Sequence, residues 1–373
     1  MALHVVIMAA GKGTRMKSQL PKVLHRLGGR TLLQHVLDAA AGLKAERTIV
    51  ITGHGADAVE AAIAPSGATS VRQMPQLGTG HAIQQVVPLL PDDMSTVLIL
   101  NGDVPLIHGS TAAALAAACG GTQLALLTIE LDDPTGYGRI VRLADGTVRA
   151  IVEHKDASEV QRGIREVYTG IMAAPAAALK RWVMALKNDN AQREYYLTDI
   201  VAAAVAEHVP VVASITDDET EVLGINSPVQ LADLERRFQR RQADVLMEAG
   251  VRLADPARFD QRGSLQCGQD VEIDVGCVFE GTVTLGDNVR VASHCVICNA
   301  QIASGAVIHP FTHIEDAIVG PGALIGPFAR LRPGAELGAD VHVGNFVEIK
   351  NSTLAAGAKA NHLAYLGDAT VGE

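Results

Sequence analysis

Aromatic residues are scarce in this 373-residue chain, at 3% of positions, with one tryptophan, five tyrosines and six phenylalanines. Large rings cannot fill the interior, so aliphatic side chains and alanine must supply the packing. Positive charge is also in deficit: 31 Lys and Arg against 41 Asp and Glu give a net charge of −10. That balance argues against a nucleic-acid-binding surface, although it leaves room for a local basic pocket. No apolar run reaches the roughly 20 residues of a membrane span. The apolar start from Met1 to Ala10 has no cationic head and no processing site before Gly11-Lys12-Gly13. A soluble, cytoplasmic protein without membrane insertion is expected.

What the chain does have, towards its end, is a period of six. Val319, Ile325, Leu331, Leu337, Val343 and Ile349 are aliphatic and in one phase. Two places before the later five stand Ala323, Ala329, Ala335, Val341 and Val347. Six suits neither a helix nor an ordinary strand, so the repeat implies stacked coils. The expected form is a parallel β-helix of triangular section, with one hexad per side and three per coil. The position after each aliphatic residue reads Gly320, Gly326, Arg332, Gly338, Gly344 and Lys350, and glycine there is expected to turn the corner. Arg332 and Lys350 break that pattern one coil apart, so they should stack about 4.8 Å from each other. Two cations that close repel unless an anion or a carboxylate lies between them, and a solvated pair is the plainer alternative. Cysteine is sparse and odd in number: Cys119, Cys267, Cys277, Cys295 and Cys298. Cys295-Val-Ile-Cys298 invites a zinc or redox reading, but structural zinc needs four converging ligands. Cys277 and Cys295 follow the coil spacing instead, and reduced structural thiols are expected.

At this length two or more domains are expected. Residues 1–228 alternate strands (3–9, 48–52, 97–100, 123–130) with helical stretches (31–41, 56–64, 80–87, 110–118). Such alternation predicts a doubly wound, mostly parallel sheet of α/β type. Residues 137–140, 147–153 and 167–172 suggest a smaller β subdomain beside it, followed by helices over 175–186 and 197–207. Ser227-Pro228 predicts a helix start, and 229–249 reads as a linker helix with Leu231, Leu234, Phe238, Val245 and Leu246 on one face. Residues 250–373 form the β-helix domain. The chain stops at Glu373 within a repeat, so this domain is expected to be C-terminally shortened.

Chemistry concentrates in two places of the first domain. Met8-Ala9-Ala10-Gly11-Lys12-Gly13-Thr14-Arg15-Met16 ends the first strand, and Leu20-Pro21-Lys22 follows. A glycine-rich loop there can turn backbone N–H groups towards phosphates. It fits neither a Walker loop nor a dinucleotide fingerprint, and what it offers is three cations, Lys12, Arg15 and Lys22; a plain surface loop is the alternative. Asn101-Gly102-Asp103 closes another apolar strand. A carboxylate at that edge can hold Mg²⁺, which takes one or two protein oxygens and leaves phosphates and water to complete its octahedron; a turn aspartate is the alternative.

The loop resembles the signature of sugar-1-phosphate nucleotidylyltransferases. Further segments narrow the resemblance: Gln76-Leu77-Gly78-Thr79-Gly80-His81-Ala82, Asp132 to Ile140, Val152 to Asp156, Glu194 to Asp199, Gly326 to Gly334, His342 to Glu348 and Tyr365 to Asp368. Together they look like the bacterial family of bifunctional N-acetylglucosamine-1-phosphate uridyltransferase/glucosamine-1-phosphate acetyltransferases, over essentially the whole chain. The resemblance implies a left-handed β-helix, a homotrimer, Mg²⁺, and UTP and N-acetylglucosamine-1-phosphate as substrates. It implies that Met8, Ala9, Ala10 and Gly11 hold the nucleotide and that Arg15 and Lys22 bind its triphosphate. Gln73, Gly78 and Thr79 would read uracil, Asp103 and Asn226 would hold the metal, and Asn101 and Gly102 would line the same site. Gly138 and Glu153 would touch the sugar, as would the residue at Tyr168. Arg332, Lys350 and Tyr365 would form the acetyl-transfer site, with His362 as general base. Two positions depart from the family pattern: Asn101 stands where Tyr or Ser is usual, and Tyr168 where an asparagine is usual. Acetyl transfer from acetyl-CoA is expected of the full-length family protein and not of this chain. Another sugar nucleotidylyltransferase, making an ADP- or dTDP-sugar, and a non-catalytic assembly subunit are the alternatives.

Overall fold

The run Leu3–Ala9 forms an interior strand, β1, of a sheet. Its β-branched Val5, Val6 and Ile7 suit a pleated backbone, and all three are fully buried, as a strand covered on both faces must be. The computed structural model describes residues 2–373. These divide into two units, Met1–His25 with Thr31–Leu231, and Arg26–Arg30 with Ala232–Glu373.

In the first unit the strands are β1, β2 (Arg47–Thr52), β3 (Thr69–Arg72), β4 (Thr96–Asn101), β5 (Leu124–Glu130), β6 (Gly138–Arg142), β7 (Val148–Val152), β8 (Glu166–Pro175) and β9 (Val211–Ile215). The order across the sheet is β9-β5-β8-β4-β1-β2-β3, with the β6–β7 hairpin joined to β8. β1 pairs in parallel with β2 and β4, and β5 with β9. Helices Leu32–Ala41, Ala56–Ile63 and Gly109–Cys119 pack on one face through Leu33, Val36, Val59 and Leu115. Helices Thr79–Val86, Ala176–Met184 and Ile200–Ala206 cover the other through Ile83, Leu179, Trp182 and Ile200. The doubly wound, mostly parallel α/β reading is right.

One expectation is corrected. Residues 167–172 do not belong to a side subdomain: β8 lies in the main sheet, antiparallel to both β4 and β5. Its residues are buried on both faces almost throughout, a demand met only between two other strands. β3 and β9 are not suggested by the sequence: β3 is short, polar and mostly exposed, and β9, although Val211, Val212 and Ala213 are apolar, is only partly buried.

The second unit holds most of the helix Pro228–Glu248. Leu234, Ala243 and Leu246 are buried, but so is Gln239, whereas Val245 is exposed. Gln239 takes the inner place because its carboxamide pairs with the backbone of Gln261, accepting at 2.7 Å and donating at 2.9 Å. Beyond the helix the chain winds into a left-handed parallel β-helix. Phe279, Ile297, Ile314, Leu331, Ile349 and Leu366 stack in register along one inner seam, and all but half-buried Leu366 are fully enclosed. Coils run 18 residues from Arg330 to Glu348 but 17 from His313 to Arg330 and from Glu348 to Tyr365, so the sixfold phase is unbroken only where all sides are long.

The corner chemistry also differs from expectation. The residues with positive φ lie three places after the inward aliphatic residue, at Gly322, Phe328, Gly334, Asp340 and Phe346. Among the glycines one place after it, Gly326 alone has positive φ. Gly320, Gly338 and Gly344 are needed for another reason: a Cβ on Gly344 would stand 1.7 Å from the carbonyl oxygen of Asn361 in the next coil. The five cysteines are free thiols, with Cys277 and Cys295 fully buried inside the stack.

Candidate functional site

Loop 10–25 leaves the C-terminal end of β1, next to the end of β4, where a parallel sheet opens a crevice for ligands. Gly102 N donates to Met8 O at 2.9 Å and joins the two strand ends. Gly11 has open space where a side chain would stand, whereas a Cβ on Gly13 would lie 2.7 Å from Cβ of Lys22. The loop therefore folds back closely on Lys22. Lys22 opens the short turn Lys22–Leu24, which is fixed by the buried Val23 and Leu24. Its ammonium donates to the carboxylate of Asp103 and, at 3.0 Å, to Oδ1 of Asn226. The Lys22 and Asp103 side chains are 12% and 21% exposed, so the pair is sheltered and still reachable. Asn226 is carried there by Ile225, whose N–H donates to Asp103 O at 2.9 Å. Lys12, Arg15 and Lys17 stand exposed on the loop, whereas Lys22 is drawn inward.

A second cluster lines the same end of the sheet. Gln73 is buried, and its carboxamide nitrogen donates to Gly78 O at 2.9 Å and lies 3.1 Å from Nδ1 of His81. That fixes the amide and leaves its oxygen as the acceptor it can offer. Thr79 Oγ1 accepts from Leu197 N at 3.0 Å, and Gly80 N donates to Tyr195 O at 2.7 Å. These bonds tie the segment after Gln73 to the loop before Leu197.

The third cluster surrounds Glu153. Thr198 Oγ1 donates to its Oε1 at 3.0 Å. Burial pushes this carboxyl above the usual glutamate range; the Thr198 bond opposes the shift, and nearby Asp199 and Asp156 add to it. A Cβ on Gly138 would meet Ile151 at 2.8 Å and the Glu153 oxygens at 3.7 Å, so glycine keeps the space before the carboxylate open. Tyr168 pairs across the sheet with Gly138. Its hydroxyl is buried without a hydrogen-bond partner among the described residues, and burial, then Glu153, pushes the phenol up. Asn101 Nδ2 donates to Gly170 O at 3.1 Å, and a Cβ on Gly170 would collide with that nitrogen. Asn101 thus bridges β4 to the irregular point of β8 between Tyr168 and Met172. Thr198 and Gly170 are supporting residues that no local signal singled out, because their partners lie 45 and 69 positions away.

In the second unit, Arg332 N donates to Ile349 O at 2.8 Å, so Arg332 and Lys350 stack as the spacing predicts. A carboxylate relieves the repulsion: Arg332 Nη1 donates to Glu348 Oε1 at 2.7 Å. Tyr365 lies on the same face, with its hydroxyl over Gly367 beside Lys350. His362 ends a strand of the adjacent sheet, across the Leu363 corner. The structure brings the first three together on one face and leaves His362 around the edge from them.

Residues 5–169 match the MobA-like NTP transferase domain family, and residues 262–360 match the GMPPB C-terminal domain family. The chain is 72% identical to the bifunctional protein GlmU of Methylibium petroleiphilum, over all of this chain and 82% of that protein. It is 64% identical to the GlmU protein of Paracidovorax citrulli and 58% identical to that of an Azoarcus species, with the same coverage. A UDP-glucose pyrophosphorylase solved with UDP-glucose aligns with 65% of this chain and all of its own, at a TM-score of 0.52 and 17% identity. That likeness concerns the fold.

Proposed function

This chain belongs to the GlmU family, and from that premise we propose residue roles for the reaction of its first unit, transfer of UMP from UTP to N-acetylglucosamine-1-phosphate. A sugar-phosphate oxygen attacks the α-phosphorus in line, and pyrophosphate leaves as UDP-N-acetylglucosamine forms. The observation that carries the assignment is the convergence of Lys22, Asp103 and Asn226 beside the open Gly11 loop. A phosphate dianion is already a nucleophile, so the site needs no general base. Its work is positioning and neutralisation of charge. Met8, Ala9, Ala10 and Gly11 carry the nucleotide, and Arg15 and Lys22 receive the triphosphate. Gln73 offers a fixed oxygen to the N3–H of uracil, with Gly78 and Thr79 shaping the base pocket. Gly138, Glu153 and Tyr168 bound the sugar end.

A divalent metal fits this site. The Asp103 carboxylate and the Asn226 amide oxygen already converge on one cationic centre, and two protein oxygens are what Mg²⁺ asks for. Bound there with the nucleotide, the ion would neutralise the developing charge on the phosphates. The test of the whole reading is release of pyrophosphate from UTP and N-acetylglucosamine-1-phosphate, compared with ATP, CTP and dTTP. Preference for ATP or dTTP would favour a different nucleotidylyltransferase, and no turnover would favour a silent assembly subunit.

Glu153→Gln should separate stability from function. The folded carboxyl holds its proton to higher pH than the unfolded one, so its ionisation costs stability above the folded pKa and costs nothing below the unfolded value. The variant should therefore melt higher than wild type near neutral pH, with the gap closing as pH falls into the ordinary glutamate range. Its KM for the sugar phosphate should rise about tenfold, roughly 1.4 kcal/mol. A lower melting temperature at neutral pH would contradict the assignment.

For the family's second reaction, acetylation of glucosamine-1-phosphate from acetyl-CoA, Arg332, Lys350 and Tyr365 suit a phosphate-binding face and His362 a general base. A homotrimer and a cytoplasmic location complete the proposal. Self-association is supported by an exposed ridge on the β-helix, where His294, Phe311, Phe328 and Phe346 stack at 5.2, 5.0 and 5.4 Å between ring centroids. The three phenylalanines are about half exposed, at 51%, 48% and 56%. A contiguous apolar ridge of this kind marks a contact surface, and its rung spacing matches that of another copy of the same prism. Light scattering should give three times the chain mass of 39.1 kDa, and Phe328→Asp with Phe346→Asp should lower it. A monomer mass for the wild type at micromolar concentration would refute the assembly.

A further inference from the structure

The ammonium of Lys22 occupies the point where the two proposed metal ligands converge. It donates to both Asp103 and Asn226, and its backbone is held in place. Val23 and Leu24 are buried, Leu24 N donates to Pro21 O at 2.9 Å and His25 N to Lys22 O at 3.2 Å. A Cβ on Gly13 would stand 2.7 Å from Lys22 Cβ, so the two backbone segments lie close together. The flexible stem beyond Cβ is the part that can swing, and it ends in a compact, strongly hydrated charge.

We infer that Lys22 is a built-in stand-in for the divalent ion: without nucleotide it closes the Asp103–Asn226 site, and an arriving triphosphate opens it by drawing the ammonium away. The inference rests on the reading of Asp103 and Asn226 as metal ligands. Its physical basis is competition, since one sheltered carboxylate cannot hold an ammonium and a divalent cation at the same point. The open space at Gly11 and the exposed Arg15 mark where phosphates would arrive and give Lys22 somewhere to go. Metal and nucleotide then enter together, and each raises the affinity for the other by the same factor. That coupling comes on top of direct contact between metal and phosphate. In the empty protein the same ion pair keeps Asp103 from facing the crevice as an uncompensated charge.

The test uses the nucleotide-free full chain and Mn²⁺ binding read by electron paramagnetic resonance. Lys22→Met should bind Mn²⁺ at least tenfold more tightly than wild type, because the resident cation is gone. Unchanged or weaker binding would overturn the inference. Adding Asp103→Asn to Lys22→Met separates the two layers: if the double variant binds Mn²⁺ as well as Lys22→Met does, the metal reading itself fails. A second measurement needs no substitution. Acetic anhydride labelling of Lys22, followed by mass spectrometry, should quicken at least threefold when saturating Mg²⁺ is added without nucleotide, while exposed Lys17 stays constant. Lys22 labelling that is unchanged or slower would overturn the inference.

Discussion

Asp103→Asn is expected to lower kcat/KM for uridylyl transfer by at least a hundredfold, about 2.7 kcal/mol, with little loss of folding. The residue ends a strand at the lip of a crevice, and its side chain is 21% exposed. The replacement is isosteric and keeps an oxygen that can accept from Lys22. The ammonium also keeps its bond to Asn226 Oδ1, so it is not left without a partner. Catalysis is another matter, because the site must hold a triphosphate, a sugar phosphate and a divalent ion together. One of only two proposed protein ligands becomes neutral, and the remaining oxygens bind a hard cation much less strongly. The deficit should appear in kcat as well as KM, since stabilisation of the transition state is lost along with binding. Steady-state pyrophosphate release with a parallel thermal melt checks both halves. A loss below tenfold would remove Asp103 from the centre of the site.

Gly344→Ala should produce the largest change in stability of any single methyl addition considered. Its backbone is ordinary, but the added Cβ would stand 1.7 Å from the Asn361 carbonyl oxygen, a rigid backbone atom of the adjoining coil. The coils cannot separate locally without breaking parallel pairing on either side. A cost of about 3 kcal/mol, the upper end for overpacking, corresponds to a fall in Tm of roughly 6–12 °C for a domain of this size. Gly357→Ala supplies the contrast. That glycine has φ 73° and nothing within 4 Å of a Cβ, so only left-handed backbone strain is added, about 1–2 kcal/mol. Equal melting temperatures for the two variants would mean that coil contact is not what requires glycine at 344.

The sequence was most readable where local pattern and tertiary structure coincide. Val319 to Ile349 repeat in phase because every sixth residue enters one continuous core, and β1 with its glycine loop is visible because burial on both faces demands an unbroken apolar run. Legibility failed where the deciding contact is distant. Nothing local in 166–175 says that it inserts antiparallel between β4 and β5. The inner position of Gln239 depends on the backbone of Gln261, 22 positions away. Corner glycines were misread because a period of six locates the corner without saying which residue bends and which merely makes room. Asp103 stands out as a candidate from its strand end, and Thr198 does not, because its bond to Glu153 spans 45 positions. Side-chain order around a corner is also hidden: His362 and Tyr365 are three residues apart and lie in different sheets.

The most direct measurement is metal-dependent pyrophosphate release by the purified chain, given UTP and N-acetylglucosamine-1-phosphate with Mg²⁺ and then with the metal chelated. Steady turnover that stops on chelation, falls at least a hundredfold in Asp103→Asn and is much weaker with CTP is the predicted result. Turnover that survives chelation, or no turnover with UTP under any metal, would contradict the account.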